Sequence, residues 1–151
     1  MSGHARRRHV DDAGLDAVAR VRGVREQDSR TGLQQANSEL AEAAARVAEA
    51  EESVRRASEI APGAEADSWV AARATLVALT SRSMKAREGA AMSRTVAEAA
   101  LARWQSDRAR LEAVELLLER RATERRAQAA RAEARELDDL ATQRHLRRGP
   151  R

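Results

Sequence analysis

The chain has no cysteine, phenylalanine or tyrosine, and its 151 residues include only two prolines, two tryptophans and one lysine, Lys85. Without cysteine there is no disulfide scaffold and no thiol chemistry, which agrees with a reducing compartment. With two aromatics the chain lacks the side chains that bury most area in a compact globular core. No apolar run approaches the ~20 residues that span a bilayer. The first residues, MSGHARRRHVDD, are basic but lead into no apolar segment, so they do not read as a secretory signal. Glycines are scattered singly, so no phosphate-cradling loop is present.

What remains is alanine, arginine, glutamate and leucine: 35 Ala and 27 Arg alone. These residues favour helix, and with a seven-residue period they read as long helix or coiled coil. Every seventh residue from Trp69 gives Leu76, Ser83, Ala90, Ala97, Trp104, Leu111 and Leu118. Three residues after each lie Ala72, Leu79, Ala86, Ser93, Ala100, Asp107 and Val114. Such positions share one helix stripe, and a stripe this long requires a partner helix. The partner comes earlier in the chain: Leu33, Leu40, Val47 and Val54 at one heptad position, Ala36, Ala43, Ala50 and Ala57 three residues later. Between the two stripes, Pro62-Gly63 is the one strong breaker pair of the interior.

The pattern predicts an all-α fold: two long helices in an antiparallel coiled-coil hairpin, the second helix longer. Residues 1–10 are expected to be a disordered basic tail. The first helix runs from about 12 to 60, with Asp11 or Asp12 as its cap. The loop covers 61–67, and Asp67 or Ser68 caps a second helix from about 68 to 147, with 149–151 as a tail. Before Leu33 the first helix is looser. Leu15, Val18, Val21 and Val24 fall three apart, and Gly23 and Gly32 are poor helix formers, so a slip of phase or a bend is expected there. Glu51 with Arg55, and Glu52 with Arg56, are spaced for ion pairs on a solvated face. Folding back at residue 64 sets residue 12 opposite about residue 116. The last ~30 residues of the second helix are then left without a partner, an overhang of roughly 45 Å.

Catalytic and metal-binding groups are not evident. His4, His9 and His145 lie in the tails without cysteine or a positioned carboxylate. Asp107 sits on the seam, where a register-setting polar residue paired with an arginine of the first helix is the simple reading. Glu133, Glu136, Asp138 and Asp139 point to several sides of one helix. No enzyme, metal or cofactor is expected. The formal charge of +4 is concentrated at the ends, and it admits nucleic acid or anionic lipid as a partner. Acids are mixed among the bases and stacking aromatics are missing, so nucleic acid is not expected.

Several stretches in order resemble the flagellar FliJ family: LDAVARVRGVRE (15–26), GLQQANSEL (32–40), a Trp after the loop, ALARWQSDRARLEAVELLLERR (100–121) and ARELDDLATQRHLRR (134–148). More remotely, the chain is similar to the hairpin stalks of virulence type III secretion and to the gamma subunit of rotary ATPases. Here the family's further aromatics near the start and the loop are replaced by Ala, Thr and Arg. The resemblance implies a non-enzymatic stalk in flagellar type III protein export. Its paired termini would enter a hexameric export ATPase ring, and its other half would reach an export gate membrane protein and export chaperones. The ring-facing residues implied are Leu15, Val18, Arg22, Leu137, Asp138 and Leu140. Those facing the gate are Ala43 and Leu79. The implied location is cytoplasmic, peripheral at the inner membrane. Another coiled-coil secretion stalk or scaffold, or a basic helical nucleic-acid or membrane-surface binder, are the alternatives.

Overall fold

The computed structural model describes residues 12–60, 62–63 and 65–148. Expectations for the terminal tails, and for Asp11, His4 and His9, lie outside the described residues, whereas His145, read as a tail residue, lies within the second helix. Two helices, α1 (Ala13–Glu59) and α2 (Ala66–Arg148), make up a helical hairpin, and among the described residues there is no strand. The second helix is the longer, 83 residues against 47. No helix of the described residues is long and apolar enough to cross a membrane.

The break between the helices is local chemistry. Pro62 has no N–H to give to the helical ladder, and Gly63 beside it is a poor helix former. The carbonyl of Glu65 accepts the N–H of Ser68 at 3.1 Å and of Trp69 at 3.4 Å, and so opens α2 one turn before Trp69. Asp67 is the acid of that first turn. Ser68 has a different task from the cap expected of it: its hydroxyl accepts the backbone N–H of Gly63 at 2.8 Å. A Cβ at Gly63 would meet that hydroxyl at 3.3 Å, so the turn is built tightly around this bond. Ser68→Ala is expected to destabilise the turn by about 1 kcal/mol. Thermal unfolding checks this, and an unshifted midpoint would remove the hydroxyl from the account.

Contacts divide the chain into two units, Val24–Arg108 and Met1–Gly23 with Ala109–Arg151. Within the first unit, Trp104 meets Glu26 and Arg87 meets Glu51, so the two helix segments run antiparallel. Residues 26, 33, 40, 47 and 54, with 29, 36, 43, 50 and 57, are all buried or half-buried, as are 76, 79, 83, 86, 90, 93, 97, 100, 104 and 107. Alanines sit deepest: Ala43 and Ala50 are 2% exposed. No large side chain among the described residues is fully buried. Small residues on the seam let the backbones approach, and the larger Leu33, Leu40, Val47 and Val54 alternate with them, half-buried.

Two expectations are corrected here. Of the slip or bend expected at Gly23 and Gly32, the slip does not occur: α1 is unbroken there, and the buried positions keep their seven-residue step. What changes is the residue type, because Glu26 and Ser29 occupy the seam in this unit. The valines at 18, 21 and 24 are exposed. Trp69, the first residue of the expected α2 stripe, is 60% exposed. It lies in the first turn of α2, beyond the last seam residue of α1, Ala57.

Charges arrange themselves along and across this unit. Arg56 pairs with Glu52, as the spacing suggests, at 3.4 Å. Glu51 turns instead to the other helix, accepting from Arg87 at 2.6 and 2.9 Å. Arg55 is left to bridge Glu52 and Glu59. Such exposed pairs are screened by water and contribute little to stability.

In the second unit the same count along α1 reaches Asp12, Leu15, Ala19 and Arg22, buried or half-buried. They are matched on α2 by half-buried Leu111, Val114, Leu118 and Arg125. From Arg126 to His145 every side chain is exposed. The overhang therefore starts after Arg125, later than the fold-back at residue 64 suggests, and covers roughly 35 Å at about 1.5 Å per residue. Helical side chains lean toward the helix N-terminus, so long arginines on α2 reach back to meet the start of α1.

Candidate functional site

Two polar locks interrupt the alanine seam, one in each unit. In Val24–Arg108, the indole Nε1–H of half-buried Trp104 donates to Oε1 of Glu26 at 2.8 Å. Glu26 is 7% exposed. One turn on, the buried Ser29 hydroxyl donates to the carbonyls of Arg25 and Glu26 at 3.0 and 3.1 Å. A serine satisfied by its own helix can be buried at little cost. Asp107 is buried at the neighbouring heptad position.

The other lock stands where α1 begins. Asp12 is 4% exposed, and its carboxylate accepts Arg125 at 2.5 Å and Arg121 at 3.5 Å. The hydrogen bond from Arg125 holds the Asp12 carboxyl below its ordinary value of 3.8. Removal from water opposes this, and the charges of Arg125 and Arg121 reinforce it. Asp12 was expected to satisfy free N–H groups at the helix start. It serves instead as the anion between two arginines of α2.

The residues assigned to a ring contact all belong to one unit, yet they do not form one patch. Leu15 and Arg22 are half-buried on the seam, while Val18 beside them is 43% exposed. Leu137, Asp138 and Leu140 lie on the exposed overhang. Leu137 stands twelve residues beyond Arg125, about 18 Å along the helix. The two residues assigned to the gate both lie in the other unit. Leu79 is half-buried. Ala43, at 2% exposed, offers almost no surface to another protein.

One exposed feature is not explained by the heptad. Around the turn, Ala57, Ile60, Pro62, Trp69, Val70 and Leu76 line a shallow concavity of about 490 Å³. Ile60, Trp69 and Val70 are 71%, 60% and 69% exposed. Its signal in the sequence is the clustering of large apolar residues on both sides of Pro62-Gly63. Among the described residues, no group of three or more His, Asp or Glu side chains could hold a metal ion.

Against known proteins, the chain matches no curated protein and no solved structure. Residues 12–150 match the family described as Flagellar FliJ protein. That match covers nearly the whole chain, including both locks and the overhang, and the protein belongs to the FliJ family of flagellar protein export.

Proposed function

We propose that this protein is a non-enzymatic coiled-coil stalk of the flagellar type III export apparatus. It inserts into the hexameric export ATPase ring and links that ring to the export gate and to export chaperones. It works in the cytoplasm, peripheral to the inner membrane. The observation that carries this reading is the overhang. In a chain of the FliJ family, α2 continues past Arg125 with every side chain exposed as far as His145. A helix segment without a core of its own is held by another molecule or by nothing. Between Arg126 and His145, Leu137 and Leu140, 61% and 50% exposed, are its largest apolar groups.

The ring-facing contacts are therefore Leu137, Asp138 and Leu140 first, with exposed Val18 and half-buried Leu15 and Arg22 behind them. On the loop half, the gate contact is at Ala43 and Leu79, of which half-buried Leu79 is the more accessible.

Deletion of residues 137–151 tests the assignment. The deleted chain is expected to stay helical by circular dichroism and to lose stimulation of the export ATPase. Leu137→Ala with Leu140→Ala is expected to weaken binding to the ATPase about tenfold, or ~1.4 kcal/mol. Stimulation unchanged by the deletion would sink the ring-facing assignment.

A further inference from the structure

We propose that residues 12–23 form a releasable strap, latched by Asp12 between Arg121 and Arg125. It covers in cis a seam on α2 that accepts a partner's amphipathic helix carrying its own acidic first residue.

Three observations within this one unit support the strap. The latch is ionic and two-pronged, with Arg125 at 2.5 Å and Arg121 at 3.5 Å from opposite oxygens of one nearly buried carboxylate. Behind the latch the strap has little grip. On its seam stand Leu15, Ala19 and Arg22, and Leu15 is the one large apolar group among them. Its other large apolar side chains, Val18 and Val21, are 43% and 56% exposed. The strap also carries Gly14 and Gly23, and a Cβ at either position would meet nothing within 4 Å. Packing thus requires neither glycine, and each weakens the helix by about 1 kcal/mol relative to alanine.

The surface beneath is better furnished than its cover. Leu111, Val114 and Leu118 keep a 3–4 spacing on α2, and Arg121 and Arg125 follow in the same direction. Three apolar anchors ending in a fork of two guanidiniums specify an antiparallel helix that begins with a carboxylate. The strap is such a helix, with Asp12 at its head. A partner helix with larger apolar residues at the seam and the same leading acid would displace it. The proposal does not depend on which protein supplies that helix.

Hydrogen exchange on the full chain gives the first test. Amides of residues 13–23 are expected to exchange about tenfold or more faster than those of 33–57. Asp12→Ala should accelerate 13–23 further and leave 33–57 unchanged, which also shows that the hairpin is intact. Equal protection of the two segments, or no response to Asp12→Ala, overturns the strap. The second test uses a fluorescent peptide of residues 12–23 as the probe, at low salt. It should bind the Asp12→Ala chain about fivefold or more tightly than the wild-type chain, because the cis competitor is unlatched. The same peptide with Asp12→Ala should lose that advantage. Equal binding to both chains, or equal binding of both peptides, overturns the proposed site.

Discussion

Trp104→Ala is expected to lower the stability of the hairpin by about 4 kcal/mol, the largest effect of any single truncation on the seam. Removal of a large aromatic from a packed position costs about 3–5 kcal/mol, and Trp104 is half-buried, which places it at the lower end. A second cost adds to the first. Glu26, at 7% exposed, would lose the indole donor 2.8 Å away, and a buried acceptor without its donor costs about 1–3 kcal/mol. The thermal midpoint should fall by roughly 10 °C, taking 2–4 °C per kcal/mol for a chain of this size. Trp104→Phe separates the two contributions, since it keeps a ring and removes the N–H. Paired with Glu26→Gln in a double-mutant cycle, it should show a coupling of about 1 kcal/mol or more. Strict additivity would mean that the hydrogen bond contributes nothing and that Trp104 acts only by packing.

The second large effect comes from adding volume. Ala43→Leu or Ala50→Leu is expected to destabilise by about 1–3 kcal/mol, because both alanines are 2% exposed and overpacking forces the backbones apart. Ala44→Leu, at an exposed neighbouring position, should stay within about 0.5 kcal/mol of the parent. The comparison bears directly on the gate. If Ala43→Leu impairs export, the melting curve says how. A depressed midpoint means the seam has been forced open, whereas an unchanged midpoint with impaired export would return Ala43 to the list of partner contacts.

The turn and the α1 seam from Leu33 onward were open to sequence reading because apolar residues there recur without interruption. Pro62-Gly63 breaks the helix, and Leu33, Leu40, Val47 and Val54 alternate with alanines in step. The start of α1 misled for a physical reason. A period is recognised by its apolar members, and on this part of the seam Asp12, Arg22, Glu26 and Ser29 are polar. The eye is drawn to Val18, Val21 and Val24, which are exposed. What makes a polar seam tolerable is its partners, and those stand 78 residues away for Glu26 and 113 for Asp12. No local spacing encodes such a pairing. The later start of the overhang has the same origin, since counting residues from the loop ignores the reach of two arginine side chains leaning toward the start of their helix. The concavity at the turn was hidden because Trp69 falls on a heptad position, which predicts burial, yet it is 60% exposed.

The Gly63–Ser68 bond also bears on how the chain assembles in time. Cross-helix contacts near the turn join residues close in sequence, such as Glu51 and Arg87 at a separation of 36. Closing short loops costs less entropy than closing long ones. Within Val24–Arg108, nucleation should therefore begin beside the turn and spread toward Trp104 and Glu26. A seam of repeated alanines is nearly the same after a shift of seven residues, so an early misalignment would meet little resistance there. The first contact able to reject it is the indole of Trp104 finding or missing its carboxylate. In that role the lock acts as a proofreader of folding, and its loss should appear as heterogeneous refolding before it appears as loss of helix.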